Sequence, residues 1–524
     1  EDNYDEYNKI CSKDTWISIM TACKTNKGSS YDIAKVMHAM YKDYYRCVSI
    51  KDNKWFYYDE QLNRWILDDK GIRLKEKIST DVYREFKNKA GAENDKSVEA
   101  DDIYAENTAK IFKVMPRLKE TSSKSNIMTE CAELFYDRDR TFIEKLDSYD
   151  YLIGFNNGVY DLRLDEFRVG RPEDYISKST NIDYIPYDEN SIEVKAIMNF
   201  YKQILVIQKV RHYVLTRSAS FLSGSTRDEG FDIYSGRGGN GKSKHMELME
   251  SVFGDYAVKL PIQLLTAKRS ASNAATPELA RTKGARLCSM QEPDTNTRIN
   301  VGLMKELTGG DRIQARALYG EPIEFKPQFK MVLCCNDKPE LPRNDEGTWR
   351  RVRNTEFLSK FTYPLDIKGD NVLDFKIDPD LSEKFDNWAE SFMSILIHYH
   401  KTYCKGEKIR PPEEILEYIS EYKEQNNHLR DFMNEKIDYN PNSESPGADL
   451  NKINKAYKTW FRGFCANEKL RKKTNELKTF LDEKFGKYNS PGILSCDKGY
   501  KGVSIRNDDD CSSFSNSIDI LDQL

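Results

Sequence analysis

Between Ser191 and Leu222 the apolar positions recur with a period near 3.6. Ile197, Phe200, Tyr201, Ile204 and Leu205 share one stripe, which predicts amphipathic helices. Beyond them the pattern changes. FDIYS (231–235), the Leu287–Met290 stretch of KGARLCSMQEPD and the Met331–Cys335 stretch of FKMVLCCNDKP are short continuous apolar runs. Such runs, closed by polar or turn residues, mark strands buried on both faces of a parallel sheet. Met246, Leu248, Met249, Val252 and Phe253 then form a helical face that ends at Gly254.

The flanks read differently. WFYYDEQLNRWILDD (55–69) predicts two strands around a polar turn, and LIGFNNGVYDLRL carries Asn157-Gly158, a strong hairpin signal. Aromatic residues in such runs fill the core of a small domain more often than they stack bases. RLKETSSKSN (117–126) reads as a polar linker between helical segments. After about His400, RPPEEILEYISEYKEQNNHLRDFMNEKI predicts one helix opened by a proline pair, with Ile415, Leu416, Ile419 and Tyr422 on its stripe. A Pro/Ser/Asn-rich loop (439–449), two basic amphipathic helices and the strand-like YKGVSI follow, compatible with a winged-helix module. These changes divide the chain into 1–185 (α+β), 186–225 (helical collar), 226–400 (sheet core), 401–508 (helical, winged-helix-like) and 509–524 (an acidic tail).

Composition narrows the class. A chain of 524 residues supports two to four domains. Its 32% charged and 39% apolar residues suit a globular protein. No apolar run reaches the length of a membrane span, and the acidic start, Glu1–Tyr7, is unlike a signal peptide, so neither a membrane nor a secreted protein is expected. The chain opens at Glu1 without an initiator methionine, as a fragment or processed product would. A net charge of −4 and a pI near 6.1 argue against a globally basic coat for nucleic acid but leave room for a local basic ring or groove. Eleven cysteines without framework spacing suit a reducing compartment. Cys334 and Cys335 belong to an apolar run and read as core. His398, His400 and Cys404 come nearest to a metal cluster, but the two histidines point to different helix faces and read as packed or surface residues.

One motif carries specific chemistry. Gly236-Arg237-Gly238-Gly239-Asn240-Gly241-Lys242-Ser243 fits Gly-x4-Gly-Lys-Ser, and it leaves a strand and opens a helix, as a phosphate loop requires. Its glycines let backbone N–H groups converge on phosphates, the helix N-terminus adds partial positive charge, Lys242 neutralises the terminal phosphates, and the Ser243 hydroxyl holds Mg²⁺. Glu292, at the end of the Leu287–Met290 run, is the candidate for aligning Mg²⁺ and polarising water, with Asp294 as understudy. Many nucleoside triphosphatases place two acids there, whereas here Gln291 precedes Glu292. Asn336 closes the third run, where a sensor of the γ-phosphate belongs. Arg350 and Arg351 follow at the start of another strand, suited to acting on a neighbouring subunit's nucleotide. Between these lie Lys305 on a short helix, a Gly309-Gly310-Asp311 turn and a hairpin with its tip near Tyr319-Gly320-Glu321. Lys305, Arg316, Tyr319 and Lys326 are the DNA-contact candidates, although Glu321 makes that tip oddly acidic.

The phosphate loop, acidic strand, Lys and Gly-Gly-Asp hairpin, and apolar strand to Asn, in this order over about 231–357, resemble the superfamily 3 helicases of DNA viruses. LTGGDRIQARALYGEPIEFKPQFK and DEGTWRRV resemble the helicase-primase of poxviruses and other large DNA viruses, called the uncoating factor in poxviruses, and the upstream hairpin region resembles that family's N-terminal helicase-associated domain. The resemblance implies a multidomain α/β protein: a central AAA+ P-loop NTPase core with a parallel sheet, an N-terminal α+β helicase-associated domain and a C-terminal winged-helix-like module. It further implies ATP and Mg²⁺ as cofactors, a homo-hexameric ring with ATP between subunits, single-stranded or forked DNA gripped in its pore, other viral replication proteins as partners, and work in the host cytoplasm. No primase signature is visible, so a start after the primase is expected. The alternative reading is an ATP-driven assembly or disassembly factor that acts on protein without unwinding.

Overall fold

The computed structural model describes residues 13–24, 28–97, 102–266, 275–291, 298–317, 322–341, 346–363, 373–405, 408–425, 428–440, 447–464, 471, 473–486 and 499–506. Five strands form the central sheet: β1 (Phe231–Ser235), β2 (Ala257–Lys259), β3 (Leu287–Gln291), β4 (Lys330–Cys334) and β5 (Val352–Glu356). They run in the order β5-β1-β4-β3-β2, every neighbouring pair parallel. All residues of β1 and β4 are buried, as continuous apolar runs require when both sheet faces are covered. The three runs read from the sequence thus become β1, β3 and β4. The short β2 and the edge strand β5 complete the sheet.

Six helices matter for the site: α1 (Ile192–Ile204), α2 (Gln208–Ser220), α3 (Lys242–Phe253), α4 (Val301–Thr308), α5 (Leu381–Tyr403) and α6 (Glu413–Gln425). Ser191 caps α1 by accepting from the N–H groups of Glu193 and Val194, and Asn300 caps α4. The expected stripe of α1 is buried, and it joins one apolar cluster with Met246 and Met249 of α3 and Phe392 and Leu396 of α5.

A buried ion pair ties α2 to the sheet. Arg217 donates to Asp232 of β1 through Nε (3.0 Å) and Nη2 (2.8 Å), and the two residues are 3% and 1% exposed. Arg217→Met is expected to lower stability by about 3–5 kcal/mol, because it strands a buried carboxylate. A urea midpoint indistinguishable from wild type would refute this.

In the N-terminal part, an antiparallel sheet (Tyr45–Ser49, Lys54–Asp59, Arg64–Asp69) packs with helices Ser30–Tyr41, Tyr83–Ser97, Asp102–Val114 and Thr121–Leu134 around Trp55, Met37, Phe86 and Ile127. The linker expected over 117–126 is instead the end of a 3-10 turn (Met115–Leu118) and the first turns of helix Thr121–Leu134. The polar start misleads, since the apolar stripe of Ile127, Met128, Cys131 and Ala132 sits farther along and the helix propagates back through Thr121. In the second hairpin, Phe155 pairs with Gly158, so the two-residue loop is Asn156-Asn157 rather than Asn157-Gly158.

Of the helix expected after the proline pair, the described residues show α6 and His428–Lys436 as helix, while 426–427 lie outside the described residues. In α6, Ile415 and Tyr422 are buried against the central unit while Leu416 is 53% exposed, so the stripe is narrower than its apolar residues suggest. Farther on, helix His428–Lys436, strand Ile437–Tyr439, helices Leu450–Phe464 and Thr474–Phe485, and strand Val503–Ile505 share their own core, and the two strands pair antiparallel. The acidic tail, 509–524, lies outside the described residues.

Candidate active site at the carboxyl ends of the central strands

In a parallel sheet a ligand crevice opens where successive connections leave in opposite directions. Here the chain leaves β1 toward β2 on one side, and leaves β4 across β1 to β5 on the other, so the crevice falls between β1 and β4. Gly236–Gly241 joins β1 to α3 at this point, and Asn336 follows β4. The loop needs its glycines. Gly241 has φ +90, and a Cβ there would lie 2.4 Å from Ile204 Cγ2; Gly236 leaves no room beside Asn240 and the Phe357 carbonyl. Asn240, 3% exposed, donates through Nδ2 to the Phe357 carbonyl (3.2 Å) and so anchors the loop to the end of β5.

Lys242, the first residue of α3, is 6% exposed. Its ammonium donates to the Gly236 carbonyl (2.5 Å) and to the side-chain oxygens of Asn240 (3.1 Å) and Asn336 (3.3 Å). The structure therefore brings together two residues 94 positions apart, Lys242 and Asn336. They border a cleft of about 300 Å³ that also takes in Gly238, Gly239, Ser243, Lys244 and Gln291. Gln291 ends β3 directly opposite Cys334 and faces this cleft, a place that its reading as a mere departure from a two-acid pattern did not reveal. Ser243 and Arg237 are exposed at the loop. Behind it, His245 accepts from or donates to the Tyr201 hydroxyl (2.8 Å), and burial pushes its pKa down to about 3, so it stays neutral. Cys334 and Cys335 are buried as expected, their thiol pKa values pushed up to about 12 chiefly by burial.

Glu292 and Asp294 lie outside the described residues, and so does Tyr319. The remaining DNA candidates are not brought to one point. Arg316 pairs with Pro322 at the tip end of the hairpin Ile313–Arg316/Pro322–Phe325, while Lys326 stands exposed at its foot beside Gly310. Lys305 is half-buried on α4. The sequence reading did not foresee the stem's own ion pair, Arg312–Glu324 (3.0 Å).

Arg350 and Arg351, which the sequence left equivalent, differ in the structure. Both pair with Glu229, at 2.9 and 2.7 Å, but the Arg350 side chain is 64% exposed and that of Arg351 only 10%. The Arg351 carbonyl accepts from Phe231 N (2.7 Å), so both arginines sit at the start of β1. Their own phosphate loop leaves the other end, a strand length of about 17 Å away. Glu229 was missed because nothing local marks a lone glutamate before a strand. His398 stacks on Tyr187, and burial pushes the pKa of His400 down to about 4. Among the described residues no group of His, Cys, Asp or Glu is placed to hold a metal ion.

The donor set fits a polyphosphate: a helix N-terminus, a converging glycine loop, a buried ammonium, and a hydroxyl for a divalent cation. Fold and cleft together define an α/β core of the nucleoside-triphosphatase type. Residues 34–206 match the family model described as D5 N terminal like, and 233–351 match a family of unknown function, DUF5906. The chain is 37% identical over 484 residues to a provisionally named helicase of Acanthamoeba polyphaga mimivirus, covering 90% of this chain and 49% of that one. It is 24% identical to a provisionally named helicase of Frog virus 3 (82% and 54% covered) and 26% identical to a provisionally named primase of African swine fever virus (67% and 38%). The chain belongs to the D5-like helicase-primase family of large DNA viruses. It spans about half the length of the first two of these relatives. Among solved structures, the NrS-1 C-terminal region aligns at 12% identity and a TM-score of 0.34, over 49% of this chain and 56% of that one, too loosely to support a fold assignment.

Proposed function

We propose that this chain is the motor part of an ATP-dependent DNA helicase or translocase of viral genome replication. The observation that carries the reading is the hydrogen bond between Lys242 and Asn336, which closes a phosphate-sized cleft from two strand ends of one parallel sheet. ATP is the nucleotide and Mg²⁺ its companion ion, held by Ser243 and Glu292. When bound, the ion would supply charge neutralisation to the phosphates. The chain's own groups do the rest: the loop N–H groups and Lys242 grip the phosphates, Asn336 meets the γ-phosphate, and Glu292 takes a proton from water.

The strand order, 5-1-4-3-2 when counted along the chain, supports an AAA+ core. The exposure of Arg350 at the far end of β1 supports a homo-hexameric ring in which each subunit reaches its neighbour's nucleotide. The helix–strand–helix–helix–strand order after α6 supports a winged-helix-like module. Single-stranded or forked DNA passes the hairpin, other viral replication proteins are partners, and the work takes place in the host cytoplasm. No helix among the described residues is long and apolar enough to cross a membrane. Placement among poxviruses and a role in uncoating gain no support from relatives in mimivirus, Frog virus 3 and African swine fever virus.

The competing reading, a ring that remodels protein, separates from this one by DNA dependence. With a labelled forked duplex and ATP, strand separation and DNA-stimulated phosphate release are expected. ATP turnover that ignores DNA, without strand separation, would favour the remodelling reading.

A further inference from the structure

A second cavity, of about 440 Å³, lies beside the phosphate cleft, within the range of roughly 300–1,000 Å³ usual for small-molecule sites. One wall comes from α1, where Asn199, Phe200 and Gln203 face it. Phe361 and Trp388 of α5 also line it, giving three aromatic side chains with Phe200. Phe361 links the two cavities. Phe361 N donates to the Gly239 carbonyl at 2.7 Å, so Phe361 forms part of the partition between the loop glycines and the second cavity. Lys244, which lines the phosphate cleft, also donates to Ser382 at the start of α5.

Polarity along the cleft fixes a direction. The terminal phosphate is assigned to the place where Asn336 meets Lys242. A nucleotide held there must leave past Gly239–Gly241 and the start of α3. Among the described residues, the cleft itself is lined by glycines, amides, lysines, a serine and cysteines, with no aromatic side chain. A base needs a flat apolar surface and a few amide or carbonyl partners at its edge. The second cavity supplies both.

We propose that the base of the bound nucleoside triphosphate lies in this second cavity, packed among Phe200, Phe361 and Trp388, with the amides of Asn199 and Gln203 meeting its polar edge. Each amide carries a donor and an acceptor, so either can pair with an amino or a carbonyl edge. The proposal rests on the phosphate-loop reading, and the experiment separates the two. Binding of Mg–ATP and of inorganic tripolyphosphate is measured for the full chain and three variants. Asn199→Trp fills the cavity from an exposed helix position, and Phe361→Ala removes its wall. Both are expected to weaken ATP about tenfold while leaving tripolyphosphate within about twofold of wild type. Lys242→Ala should weaken both ligands. The base proposal is overturned if Asn199→Trp and Phe361→Ala leave ATP affinity unchanged. It is equally overturned if they weaken ATP and tripolyphosphate alike, since the segment would then shape the loop and not hold the base. Undiminished tripolyphosphate binding by Lys242→Ala would remove the phosphate-loop reading, and this proposal with it.

Discussion

Lys242→Ala is expected to lower nucleoside triphosphate turnover by about 10²–10³, the usual loss when one preorganised donor to a developing phosphate charge is removed from a water-poor site. The expectation follows from position. The Lys242 ammonium is 6% exposed and points into the cleft, where the Gly236 carbonyl and two amide oxygens orient it. These partners orient the ammonium at the cleft, and a phosphate arriving there meets a positive charge at low dielectric. Phosphate release at saturating ATP, with thermal unfolding as a control for folding, checks the result. Turnover within about threefold of wild type, against the hundredfold expected of a preorganised donor, would sink the assignment.

The second large effect is expected at Arg350. If the ring reading holds, Arg350→Ala keeps nucleotide binding, because its own phosphate loop lies at the opposite end of β1, yet it loses about 10³ in hydrolysis, the contribution of an arginine supplied to a neighbour's transferring phosphoryl group. Arg351→Ala should behave differently. Its side chain is 10% exposed, donates to the Gly347 carbonyl (2.8 Å) and pairs with Glu229, so its loss should appear first as reduced stability. Mixing Arg350→Ala with Lys242→Ala subunits should recover part of the activity, since one class of interface then joins an intact phosphate loop to an intact arginine. Energy transfer between labelled subunits establishes that exchange has occurred. Exchange without recovered turnover would assign Arg350 to the surface ion pair with Glu229 alone.

Much of the site could be read in the sequence because its pieces are short and contiguous. The phosphate loop occupies eight consecutive residues between a strand and a helix, and glycine conformations and a helix start are local properties. β1, β3 and β4 were legible for a similar reason, since burial on both faces leaves an unbroken apolar run. Local patterns misled where polarity and structure part company. The first turn of helix Thr121–Leu134 is polar because most of it is exposed, not because it is a linker. Leu416 is apolar yet 53% exposed.

By itself, then, the sequence determined the phosphate loop, the strands that carry it and Asn336, and the order in which they occur, because each is written in the backbone preferences and burial of neighbouring residues. Only the tertiary structure decided what meets across the fold. It set Asn336 against Lys242, turned Arg351 inward and left Arg350 outward on the same Glu229, separated Arg316 from Lys326 along the hairpin, and assembled a cavity from Asn199, Phe361 and Trp388. Those relations depend on strand order and on crossovers between distant segments, and an exposed or buried partner is selected by packing that no short window of sequence contains.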